Sequence, residues 1–191
     1  MKKLIPLLFF LSVSFGVKSQ SYTQLTATDA VTGKTMELSS MVKGKGLVLI
    51  FHTMECPFAK MYEDRIKTLR ANFQNQGFTF ALVNPEAGNT ESDFLPLRNH
   101  INQSGLNMSY LADSAKEWAK AFGITKIPEV IVLIPSAEGP KIAYRGAIDN
   151  NPQAESAVTE RHLERALNQI AKGESPAASQ VRPVGCNLRT Y

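Results

Sequence analysis

Hydrophobic and polar positions along the chain fall into short blocks that switch between two periods. Leu47-Val48-Leu49-Ile50-Phe51 is a continuous apolar run preceded by Lys43-Gly44-Lys45-Gly46, the pattern of a strand buried on both faces. Phe58, Met61, Tyr62, Ile66, Leu69 and Phe73 then recur at helical spacing up to Gly77. Pro57 suits the first helical position, where its missing N–H is not needed. Phe78 to Val83 predicts a second buried strand, and Met108 to Leu111 a brief one. Val130 to Ile134 and Ile142 to Ile148 predict a third and a fourth core strand, joined by a turn at Ser136 to Pro140. Glu86 to Asp93 reads as loop, and Phe94 to Ile101 as a short helix that Pro96 restricts to its early part. Ser114 to Phe122 reads as a helix with Trp118 and Phe122 on one face, and a last helix runs from about Thr159 through Leu163, Leu167 and Ile170 to Gly173.

Ahead of these elements, Tyr22 to Leu38 predicts a hairpin around Gly33; behind them, Glu174 to Pro183 reads as an extended tail that delivers Gly185-Cys186. A β-α-β beginning, an antiparallel strand pair and a closing helix imply an α/β fold: a central mixed sheet with helices on both faces and an N-terminal β-hairpin extension. No internal repeat is present.

The first residues stand outside this pattern. Met1-Lys2-Lys3 is a basic start, Leu4 to Val17 an apolar run, and Val17-Lys18-Ser19 a small-residue site of the kind a signal peptidase cuts. The run is shorter than the roughly 20 residues a membrane span needs, and no second such run follows. The expected organisation is a signal peptide over residues 1–19, a domain over 20–173 and a tail over 174–191, with the mature protein periplasmic or secreted and without a stable membrane anchor. With 191 residues, 43% hydrophobic and 20% charged, the chain suits one globular domain. The formal charge of +4 owes three lysines to the leader, and without them 18 basic side chains face 17 acidic ones. No basic stripe interleaved with aromatics remains to bind nucleic acid.

Two cysteines are present, Cys56 at the junction of the first core strand with its helix and Cys186 near the C-terminus. A sulfur at a helix start lies beside unpaired backbone N–H groups that stabilise thiolate over thiol, which favours reactivity over the inert role common to buried cysteines. In an oxidising compartment an even cysteine count fits a static disulfide or a working redox pair. His52, His100 and His162 share no ligand spacing, so no metal site is expected, and a copper site would want a second sulfur where Thr53 stands. Met54 and Met61 read as packing residues, and Trp118 as core. Lys60 reads as a solvated lysine or as one that lowers the Cys56 pKa, and Arg145 as reaching the site or pairing with Asp149.

Phe51-His52-Thr53-Met54-Glu55-Cys56-Pro57-Phe58, Gly123-Ile124-Thr125-Lys126-Ile127-Pro128, Tyr144-Arg145-Gly146-Ala147-Ile148-Asp149-Asn150 and Val184-Gly185-Cys186-Asn187-Leu188 together carry a family resemblance. The chain resembles the thioredoxin-like redoxins, in the peroxiredoxin-like branch of the alkyl hydroperoxide reductase and thiol-specific antioxidant superfamily, over roughly Thr23 to Leu188. The resemblance implies a thioredoxin-like fold and a thiol oxidoreductase without prosthetic group, acting on a peroxide or a disulfide with an external thiol as reductant. It makes Cys56 the attacking sulfur, Thr53 a hydrogen-bonding neighbour and Cys186 the resolving sulfur. Pro128 resembles the cis proline that such folds place opposite the reactive sulfur. Thr53 replaces the first cysteine of the family's frequent Cys-x-x-Cys, so the resemblance leaves Cys186 as the intramolecular partner. The proline expected seven residues before Cys56 is Leu49, and Lys126-Ile127-Pro128 stands where a peroxiredoxin arginine is expected. The rival expectation is a non-catalytic binding module in which the Cys56–Cys186 disulfide is permanent.

Overall fold

The computed structural model describes residues 22 and 24–188. The predicted signal peptide lies outside the described residues. In chain order the elements are β1 (Thr26–Asp29), β2 (Thr35–Glu37), α1 (Leu38–Met41), β3 (Gly46–Phe51), α2 (Pro57–Phe73), β4 (Phe78–Asn84), α3 (Glu91–Ser104) and β5 (Ser109–Ala112). They continue with α4 (Glu117–Phe122), β6 (Lys126–Ile127), β7 (Glu129–Ile134), β8 (Lys141–Gly146), α5 (His162–Ala171), β9 (Gln180–Val181) and β10 (Cys186–Asn187).

The main sheet runs β2-β1-β5-β4-β3-β7-β8-β9, and β10 and β6 form a separate small pair. Helical crossovers make β3, β4 and β5 parallel neighbours, while β7 and β8 run antiparallel. The predicted hairpin extends the sheet through β1, which pairs antiparallel with β5. Strand alternation splits the core in two. Val48 and Ile50 face Tyr62, Ile66, Leu97, Ile101, Leu163 and Leu167 from α2, α3 and α5. Leu47, Leu49 and Phe51 face Leu38, Met41, Trp118 and Phe122 from α1 and α4. The sheet therefore carries helices on both faces, as the strand and helix pattern implies.

Three elements differ from the sequence reading. Residues 86–93 are not all loop, because α3 starts at Glu91 behind a capping box in which Asp93 N–H donates to Thr90 Oγ1 and Thr90 N–H to Asp93 Oδ2. The helix also runs through Pro96 to Ser104. Pro96 and Ser92 are both exposed, which leaves the carbonyl without its helical donor open to solvent. Residues 174–188 are extended as expected, yet they join both sheets: β9 pairs parallel with β8, and β10 antiparallel with β6. At Gly146, with φ 123°, any Cβ would overlap the Val181 carbonyl, so this close approach of β9 needs glycine. Finally, Met61 lies outside the α2 core face at 50% exposure, while Arg65 is buried there.

Candidate active site

The buried β3 run ends at Phe51, and a turn in which Cys56 N–H donates to the Thr53 carbonyl at 3.4 Å brings Cys56 to the N-cap of α2. Cys56 has extended backbone, and Pro57 follows at the first helical position. The cysteine side chain makes no cap hydrogen bond, so the sulfur lies beside the helix N-terminus without capping it. Thr53 is buried in the same turn. Lys60, one turn on, is exposed.

Opposite the helix start, the Ile127–Pro128 peptide is cis. Cys56 Sγ lies 3.2 Å from the Ile127 carbonyl oxygen; once reduced, the thiol has that carbonyl as an acceptor. Cys56 is bonded to Cys186, with the two Cα atoms 6.0 Å apart and 130 residues between them in sequence. The tail that brings Cys186 lies against the proline loop: Cys186 pairs with Ile127 and Asn187 with Lys126. Leu188 N–H donates to the Thr125 carbonyl at 3.0 Å, and Lys126 Nζ to Asn187 Oδ1. Gly185 passes so close to Ile127 and Pro128 that a Cβ there would overlap the Ile127 carbonyl. Thr53, Cys56, Pro128 and Cys186 thus share one end of the sheet.

These observations coincide with a family match. A sequence profile of the AhpC/TSA family matches residues 19–145. The chain belongs to the AhpC/TSA family. No curated protein matches the sequence. Among solved structures, an uncharacterized conserved protein from Geobacillus kaustophilus superposes with a TM-score of 0.75 at 21% identity, over 89% of this chain and 90% of that one. A hypothetical protein from Sinorhizobium meliloti gives a TM-score of 0.71 at 23% identity, over 93% and 94%. A secreted Mycobacterium tuberculosis disulfide oxidoreductase, described as homologous to E. coli DsbE, gives 0.53 at 20% identity, over 80% and 97%. At these identities the structures establish a thioredoxin-like fold.

The charged pairs differ from the sequence reading. Arg145 does not pair with Asp149; it reaches Glu129 Oε1 at 2.9 Å and the Phe122 carbonyl at 3.0 Å. Asp149 instead accepts from Arg65 at 2.6 Å and from the Tyr62 hydroxyl at 2.9 Å. Arg65 also donates to the Asn151 and Pro152 carbonyls, both at 2.7 Å, and stacks on the Tyr62 ring. This buried network ties α2, and with it the Cys56 turn, to the segment after β8. Its signal in the sequence was Tyr62 and Arg65 three residues apart on the face that carries Ile66. Burial raises the Tyr62 hydroxyl pKa, and the Asp149 carboxylate raises it further.

His52 and His100 share no ligand spacing, yet the fold brings both to Glu63 on α2: their Nε2 atoms lie 3.2 and 3.0 Å from Glu63 Oε1. Burial holds the His52 pKa below its ordinary value. Burial also pushes the Glu63 carboxyl up, but the hydrogen bond from His52 and the charge of the two imidazoles outweigh it and leave the carboxyl below its ordinary range. His162 sits elsewhere, 3.4 Å from Glu160.

Proposed function

We propose that this protein is an exported thiol–disulfide oxidoreductase in which Cys56 is the attacking sulfur and Cys186 the partner that closes and reopens the bond. The observation that carries the reading is the Cys56–Cys186 disulfide held against the cis-proline loop by a two-residue strand. An extended segment bearing a sulfur, paired antiparallel with the residue before the proline, is the arrangement a disulfide substrate would adopt there.

Unequal exposure supports a direction for the exchange. Cys56 is 3% exposed, whereas Cys186 is only partly buried. An external thiolate attacks the Cys186 sulfur, forming a mixed disulfide there, and Cys56 leaves as thiolate at the helix N-terminus. A second thiol attacks the mixed disulfide, releasing the oxidised reductant and Cys186 thiol. Reduced Cys56 then attacks a substrate disulfide, and Cys186 displaces the substrate thiol as the internal bond reforms, with Thr53 flanking the reacting sulfur. Family membership suggests peroxide as a second oxidant. Attack by Cys56 would break the O–O bond, release alcohol or water and leave a sulfenic acid, which Cys186 would condense to the disulfide with loss of water.

Export to the periplasm or beyond rests on the basic start and the apolar run of residues 4–17. Among the described residues no helix is long and apolar enough to cross a membrane. Burial of Cys56 and the close fit at Gly185 favour a second reading, a permanent disulfide in a binding module. Reduced wild type, Cys56→Ser and Cys186→Ser, each given a protein disulfide or hydrogen peroxide, separate the two. The oxidoreductase reading expects turnover by wild type, none by Cys56→Ser, and a trapped mixed disulfide or sulfenate on Cys56 in Cys186→Ser. Cys56 reacting no faster than a free model thiol would leave the binding module.

A further inference from the structure

We propose that His52, Glu63 and His100 form a binding site for a divalent transition-metal ion of the zinc class. His52 follows β3 directly, Glu63 lies in the second turn of α2 and His100 in the third turn of α3. One ligand atom from each falls within 4.8 Å of the other two. A four-coordinate zinc with bonds of about 2.0–2.2 Å sets its donors about 3.3 Å apart. The two histidine-to-carboxylate separations, 3.2 and 3.0 Å, already match that figure, and the third, between the imidazoles, is at most 4.8 Å and would shorten on binding through movement of the less buried His100. Two imidazoles and one carboxylate with a fourth position open suit zinc or a neighbouring first-row ion rather than calcium or magnesium.

Two further observations point to a cation. His100 Nε2 is buried without a hydrogen-bond partner, although it lies 3.0 Å from Glu63 Oε1. The contact is short but not aligned as a hydrogen bond, and a buried polar atom left in this way has a lone pair or proton for an ion or a water to satisfy. At His52, Nδ1 lies 2.8 Å from the Tyr110 hydroxyl, which in turn donates to the His52 carbonyl at 3.2 Å. With the one hydroxyl proton given to the carbonyl, Nδ1–H donates to Tyr110 and the Nε2 lone pair faces Glu63. The hydroxyl then stands where a metal-bound histidine has its outer acceptor, usually a carboxylate, a backbone carbonyl or water. Turning the hydroxyl proton to Nδ1 puts the imidazole proton on Nε2, where it donates to Glu63; this is the metal-free arrangement.

Glu63 and His100 keep 16% and 19% side-chain exposure, which opens a path for the ion, while His52 is fully buried. Bound metal would join three elements and pin the loop that runs from His52 to Cys56. The site uses no sulfur, so it stands or falls apart from the redox reading.

The test uses the disulfide-bonded protein, in which no thiol competes for metal. After treatment with EDTA and its removal, zinc sulfate is titrated by calorimetry and cobalt chloride by visible absorption. One ion binds per chain, cobalt shows the intense bands of a four-coordinate site, and zinc raises the melting temperature. Glu63→Gln and His100→Asn each lose more than about 100-fold in affinity, since losing even an outer partner costs about 10- to 100-fold, the loss expected of Tyr110→Phe. His162→Asn binds as wild type does. Melting curves without zinc report folding, and the wild-type cobalt spectrum decides if a variant does not fold. The absence of one-to-one binding, a six-coordinate cobalt spectrum, or undiminished affinity in folded His100→Asn overturns the proposal.

Discussion

Cys186 stands in register with Ile127, the residue before the cis proline, while its sulfur is bonded to Cys56 at the start of α2. The C-terminal tail thus occupies the edge beside the Cys56 sulfur, and reducing one bond leaves only a two-residue strand and its flanking contacts to hold it there.

Gly185 sets how closely the tail fits. A Cβ at this position would meet backbone atoms of Ile127 and Pro128, which cannot swing aside as a flexible side chain would. Gly185→Ala should lift β10 and make the disulfide easier to reduce by about tenfold, or about 30 mV, with little effect on the melting temperature of the reduced protein. Thiol quantification across a glutathione series checks this.

Arg65 and Asp149 keep only 6% and 3% side-chain exposure. Removing one member of such a pair costs about 3–5 kcal/mol, because the other charge stays buried. Asp149→Ala should therefore destabilise the fold strongly. Tyr62→Phe, which removes one hydroxyl from the same carboxylate, should cost about 1 kcal/mol. Urea denaturation of the oxidised proteins measures both.

Asp113 lies at 3% exposure and accepts from the Trp118 and Ala119 N–H groups at 3.1 and 2.9 Å. Burial raises its pKa above the ordinary 3.8, more than these hydrogen bonds lower it. The folded chain then holds this proton more tightly than the unfolded one. Its contribution to stability is full below pH 3.8 and is lost as pH rises through the raised folded value. Asp113→Asn lacks that dependence, so the stability difference between wild type and variant should shift toward the variant as pH rises through the window. Denaturation midpoints from pH 3 upward report it. The variant should also be less stable by about 1–3 kcal/mol at neutral pH, because its amide NH2 faces one of the two helix N–H groups.

The legible parts of this protein are those written locally. The β3 run, the Cys56-Pro57 helix start and the Gly77 stop each follow from neighbouring residues, and the first two position the Cys56 sulfur. Pro96 misled because its cost depends on whether the freed carbonyl meets water, which the sequence does not state. The two-residue strands of the tail have no period to detect; their pairing depends on distant partners. The same holds for Arg65 with Asp149, Arg145 with Glu129, and His52 with Glu63 and His100. Each joins elements far apart in the chain, and side-chain spacing along one segment, which shows at most that Tyr62 and Arg65 share a helix face, does not name the distant partner.

The most direct test of the central claim is the reduction potential of the Cys56–Cys186 bond, measured by equilibrating the protein with glutathione buffers and counting free thiols. A working couple should fall between about −270 and −120 mV, the span of known thiol oxidoreductases, whereas a value below about −300 mV is that of a structural disulfide and would contradict the account.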